Sequence, residues 1–105
     1  MDVRKIVWTR VAIDQRDSIF RYWNKRNKST NYSKKLNLGI KERLKLLQSM
    51  PKLGMKTNLK NHNVLFYSYF GIHYKVTSNI IYIVGFWDNR QNSKEQDQLL
   101  KKYYK

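Results

Sequence analysis

Three observations predict an α+β domain. Apolar residues recur with helical spacing up to about Ser49, and beyond Gly54 they shift to short runs rich in β-branched and aromatic side chains. The one proline, Pro51, stands at that change together with Gly54. The order reads strand, helix, helix, then three or four strands, rather than the alternation that builds a parallel α/β sheet. With 105 residues the chain suits a single domain over 1–105 with one core.

The elements follow in order. Residues 3–8, "VRKIVW", alternate weakly and end on Trp8, which reads as a first strand. Thr9 is placed to cap a helix through its hydroxyl. Ala12, Ile13, Ile19, Phe20 and Trp23 then mark one buried helical face. "NKSTN", 27–31, interrupts it. A second helix is expected from about Tyr32 to Ser49, with Tyr32, Leu36, Ile40, Leu44 and Leu47 on one stripe and Gly39 weakening it. The short link makes the two helices an antiparallel hairpin. Three strands are expected at 64–70, 72–77 and 80–87, with tight turns at Gly71 and at Ser78–Asn79. The last run is apolar on both faces, which argues for a central place in an antiparallel sheet of three to four strands. The tail "SKEQDQLLKKYYK" suits a short C-terminal helix with Leu99, Leu100, Tyr103 and Tyr104 on one side.

Charge narrows the function. Twenty-two Lys and Arg oppose seven Asp and Glu, a net +15. Such a field favours nucleic acid, a nucleic-acid machine or a strongly acidic protein as partner. No acidic residue falls between Asp17 and Glu42, or from Arg43 to Trp87. On that basis Arg21, Lys25, Arg26, Lys28, Lys34 and Lys35 are expected to position a polyanion, although lysines also simply solvate surfaces. The lack of cysteine removes disulfides and Cys-based zinc sites, and two histidines without a nearby carboxylate pattern argue against another metal site, so no cofactor is expected. No apolar run reaches membrane-spanning length and no signal-peptide core opens the chain, so a cytoplasmic protein with no membrane partner is expected.

The greasy run 80–87 turns abruptly into "DNRQN", 88–92. Asp88, Asn89 and Asn92 are good turn formers, so the cluster reads equally as a turn or as a site at a strand tip. Taken together, "IVWTRVAIDQRDSIFRYW", "LKLLQSMPKLG" and "GIHYKVTSNIIYIVGFWDNRQN" carry a resemblance over nearly the whole chain. In these segments the sequence resembles the RelE/ParE superfamily of toxins from bacterial type II toxin–antitoxin systems.

That resemblance implies a growth-inhibiting toxin held by an acidic antitoxin, with Leu99, Leu100, Tyr103 and Tyr104 as its contact. In members that cleave messenger RNA on the ribosome, the ribose 2′-hydroxyl attacks the adjacent phosphate, which requires a base, cations around the phosphate and an acid. Arg90 is similar to the arginine after the last strand of the nucleases, and Lys52, Lys56 and Lys60 fall where they carry functional lysines. Trp87 is a candidate base-stacking platform, though it reads first as core. Two departures stand out: Gly71 aligns with an arginine of the nucleases, and Gln96 falls near their tyrosine or histidine. His62 and His73 are the candidate substitutes, and the alternation of strand residues puts His73 on the side opposite Ile72 and Tyr74. The ParE branch implies the alternative, a non-enzymatic inhibitor of DNA gyrase. A plain nucleic-acid-binding module would explain the charge alone.

Overall fold

The computed structural model describes residues 3–89, and five strands and two helices lie within them. The expected terminal helix lies outside those residues, as do Arg90, Gln96, Leu99, Leu100, Tyr103 and Tyr104. β1 (Lys5–Trp8) is followed by α1 (Arg10–Asn27) and α2 (Asn31–Ser49). Then come β2 (Met55–Lys56), β3 (His62–Tyr67), β4 (Phe70–Val76) and β5 (Ile80–Asp88).

The helix hairpin forms as its sequence dictates. Thr9 is extended, and its hydroxyl accepts the Ala12 N–H, so one free donor of the first turn is satisfied. Lys28 ends α1 in the left-handed conformation (φ 52°) with its N–H on the Asn24 carbonyl. Ser33 then ties the helices together, donating to the Phe20 carbonyl and bonding Asn24 Oδ1 at 2.6 Å. Leu36, Ile40, Leu44 and Leu47 are buried on α2 and Ala12 on α1, while Ile19, Phe20 and Tyr32 pack against them half-buried. Gly39 has a positive use here. The tip of the Tyr67 ring lies where a Cβ at position 39 would be, so glycine lets that ring pack against α2.

The sheet is mixed, in the order β1-β5-β4-β3-β2, and this corrects the purely antiparallel expectation. β1 runs parallel to β5, with Ile6 opposite Ile81 and Trp8 opposite Ile83. The chain leaves β1 through the helix hairpin, reaches the far edge at β2 and returns through β3 and β4, and this long path is the connection that a parallel pair requires. β5 is therefore central, as its apolar faces predict, but only as far as Ile83, where β1 ends. Beyond that point the Phe86 N–H is satisfied by Gln15 Oε1 of α1 at 2.9 Å. The register of β4 and β5 shifts at His73/Tyr74, so Val84 is an extra residue and the strand twists locally.

The turn expected at Gly71 is also corrected. The β3–β4 reversal uses Ser68 and Tyr69, with Ser68 at φ 55°, and Gly71 lies inside β4 opposite Phe66 and Trp87. A two-residue hairpin needs positive φ, and serine supplies it here instead of glycine. The turn at Ser78–Asn79 is found where expected, with the Thr77 hydroxyl accepting the Ile80 N–H. β2 was not foreseen, because two exposed residues carry no periodicity.

Candidate functional site

The chemistry-bearing residues gather at the β2–β3 edge of the sheet and on the face turned away from the helices. Tyr74 sets up the first region. It is fully buried, and its hydroxyl donates to the Pro51 carbonyl and accepts the Gly54 N–H, both at 2.9 Å. Burial raises its pKa, so the hydroxyl keeps its proton for this clamp. The turn that ends α2 is thus pinned to the sheet, and it carries Lys52 and leads into Lys56 on β2.

Between β2 and β3 the loop Thr57–Asn61 folds back on itself. The Thr57 N–H bonds the His62 carbonyl, the Leu59 N–H bonds the Thr57 hydroxyl, and Asn61 takes φ 59°. Lys60 stands on this loop. The result is an open cavity of about 500 Å³ lined by Lys52, Lys56, Lys60, His62, Asn63 and Arg4, among others. Four Lys and Arg side chains line it, and none of its lining residues is a carboxylate. The structure thus brings together the three lysines and His62, which the sequence could only place in one segment. An arrangement of this kind attracts an anion, because unneutralised cations around a concavity focus the field there.

His62 is buried and connects the cavity to the open face. Its Nδ1 meets Thr57 Oγ1 at 2.9 Å and its Nε2 meets His73 Nδ1 at 2.9 Å, so both ring nitrogens are engaged. His73 lies on the face opposite Ile72 and Tyr74, as the alternation predicts, and Trp87 stacks on it at 3.7 Å and 17°. Burial, and then the adjacent His62, lower the His73 pKa from 6.5 to about 3, so the ring is neutral at any physiological pH. Its Nε2 is shielded from solvent and has no hydrogen-bond partner among the described residues. A Cβ at Gly71 would sit 3.2 Å from that nitrogen and 3.1 Å from Asn89 Oδ1. The imidazole therefore fills the space that a longer side chain at position 71 would claim. Trp87 is only 6% exposed and serves as the lid of this stack.

The other candidate cations stand apart from the cavity. Arg21, Lys25, Arg26, Lys28, Lys34 and Lys35 are all exposed on the helix hairpin. Arg26 is ordered by a bond to the Tyr22 hydroxyl and by the Trp23 ring 5.6 Å away. Lys25 and Arg26 also occupy the last turn of α1, where the helix dipole favours cations. Thr57 and Tyr74 escaped the sequence reading. Tyr74's partners lie 20 and 23 residues away, beyond any local pattern, and Thr57 bonds only within its own loop, to Leu59 and His62.

Neither a scan of protein-family models nor a search of curated proteins returns a match. Solved structures do match in fold. One is a chain from a structure described as the chromosomal ParDE TA system from P. aeruginosa. It superposes with a TM-score of 0.71 at 20% identity, over 82% of this chain and 96% of that chain.

Proposed function

We propose that this chain is the toxin of a type II toxin–antitoxin pair and that it cleaves translated messenger RNA on the ribosome. The observation that carries the reading is the carboxylate-free cavity of Lys52, Lys56 and Lys60. A fold shared with a chain of a ParDE system supports the toxin half of it. A scissile phosphate in the cavity would meet ammonium groups on several sides, and these stabilise the charge that grows as the 2′-hydroxyl attacks. Arg90, two residues past β5 in sequence, is proposed to clamp a phosphate further along the message. β5 ends opposite Phe70, whereas the cavity lies beside His62, about 20 Å away along the strands. A guanidinium engages two phosphate oxygens at once. The helix-hairpin cations would hold the ribosomal RNA without reading its sequence. An acidic antitoxin is the proposed partner, and the cytoplasm the proposed location. Among the described residues no helix is long and apolar enough to cross a membrane.

A second reading is favoured by the histidine pair. His62 has both nitrogens engaged and His73 is neutral and covered, so neither stands ready as an acid or base at the cavity mouth. A non-enzymatic inhibitor of DNA gyrase needs no such group. Primer extension on translated message, run beside a gyrase supercoiling assay, separates the two. For the nuclease, cuts within codons are expected, and Arg90→Ala should remove them while ribosome binding and thermal stability persist. Uncut message beside blocked supercoiling would replace the nuclease with the inhibitor.

A further inference from the structure

Thr57 makes more contacts than its turn requires. Its hydroxyl accepts the Leu59 N–H at 3.1 Å, which is all that a threonine turn needs. The same oxygen meets His62 Nδ1 at 2.9 Å, closer than the His62 carbonyl at 3.3 Å. His62 Nε2 in turn meets His73 Nδ1 at 2.9 Å. A loop anchored by backbone bonds has no use for two imidazoles in line behind it. Both rings are buried, at 2% and 8% exposed, and the far nitrogen of the second has no hydrogen-bond partner among the described residues. An apolar pair of the same size would pack there at less cost. A hydroxyl, a ring nitrogen within its reach and a third group holding that ring are instead the arrangement that activates a nucleophile. Thr57 also lines the 500 Å³ cavity, together with Lys52, Lys56 and Lys60.

We propose that Thr57 is a phosphorylation site on which the chain modifies itself, taking the terminal phosphoryl group of a small phosphate anhydride held by the cavity lysines. The reaction uses the tautomer in which His62 Nδ1 carries no proton. The His62 Nε2–H then donates to His73 Nδ1, and that bond fixes both the tautomer and the orientation of the ring. Thr57 Oγ1 attacks phosphorus, its proton passes to His62 Nδ1, and the bond from phosphorus to the bridging oxygen breaks. The electron pair of that bond leaves with the carboxylate of an acyl phosphate or with a nucleoside diphosphate. His62 then gives its proton up to water. The lysines offset the charge on the phosphoryl oxygens throughout. Bonded to Thr57, His62 is closed to the hydroxyl of a bound RNA but is placed for the hydroxyl of the threonine itself. His73 touches no substrate and is a positioning residue. The product is a phosphate dianion among Lys52, Lys56 and Lys60, where the nuclease reading puts the RNA phosphate. Modification therefore closes the cavity to RNA, while the labelling itself does not depend on that reading.

The full chain is incubated with acetyl phosphate or with ATP and magnesium, each radiolabelled in the transferable phosphoryl group, and the label is followed through acid treatment and peptide mapping. An acid-stable label on Thr57 is expected, and the donor that supplies it identifies the anhydride. Thr57→Ser should keep the label and Thr57→Val should lose it. His62→Gln should slow labelling about a hundredfold, the worth of a general base. His73→Phe should slow it too, and His73→Asn, whose amide oxygen accepts from His62 in place of Nδ1, should restore most of the rate. Melting temperatures check that each variant is folded, and where His62→Gln is not, Thr57→Val decides alone. No label from either donor overturns the proposal, as does an acid-labile label, the mark of a phosphohistidine. So does a label that survives Thr57→Val or an unchanged rate in folded His62→Gln. Cleavage of message is scored separately: a labelled chain that never cuts RNA loses only the nuclease reading, and an unlabelled chain that cuts it loses only the phosphorylation site.

Discussion

The two faces of the sheet are built from different materials. On the helix side, Ile72, Tyr74, Ile81, Ile83, Phe70 and Phe86 are fully buried, and Phe70 stacks on Phe86 at 5.4 Å. These groups are held by area removed from water, which is nondirectional and tolerant of small displacements. On the other side, two imidazoles and an indole pack together, with one buried nitrogen that has no partner among the described residues. There stability depends on a hydrogen-bonded line from Thr57 through His62 to His73, and on its protonation state. The first face is an engine of folding. The second is where sequence change alters chemistry as well as stability.

The largest expected effect breaks the helix-side face. Phe86→Ala should cost roughly 3–5 kcal/mol, the transfer energy of the ring plus the cavity left behind, read as the midpoint shift in denaturant titration. A cost below about 1 kcal/mol would mean that the face is loosely packed.

The next effect belongs to the other face and depends on pH. In the unfolded chain His73 returns to about its ordinary 6.5, whereas in the fold it titrates at about 3. Between those values the unfolded state binds the proton and the folded state does not, so this group's stabilisation is complete above pH 6.5 and falls as pH drops toward 3. The loss is at most about 1.4 kcal/mol per pH unit. Unfolding midpoints should therefore decline on going from about pH 7.5 to about pH 5, and His73→Phe should flatten that slope while keeping a ring on Trp87. An unchanged slope in the variant would assign the acid sensitivity to another group.

The smallest effect on stability falls at the cavity rim. Lys56 is exposed, and Lys56→Ala should move stability by no more than about 0.5 kcal/mol. Its effect on RNA affinity should be plain, with the salt slope of binding reduced by roughly one counterion. Filter binding over a salt series measures it, and an unaltered slope would remove Lys56 from the interface.

The sequence determined what local physics can determine. Four-residue spacing set the core stripe of α2, the Thr9 hydroxyl set the start of α1, and strict alternation set His73 against Ile72 and Tyr74. Each depends only on neighbours along the chain, so periodicity and side-chain chemistry suffice. The tertiary structure alone decided the rest. Lys5 is opposite Ile80 because the chain crosses to the far edge through the helix hairpin and returns by β3 and β4, and nothing in a four-residue strand states its partner. The lysine cavity exists because the Tyr74 hydroxyl holds Pro51 and Gly54, residues 23 and 20 positions back. Gly39 weakens the helix by local propensity, and only the Tyr67 ring that lies against it gives the glycine a use. A strand's partner, a cavity and a close approach are properties of surfaces brought together by burial, and the free energy that selects them is shared by many residues rather than written in any one segment.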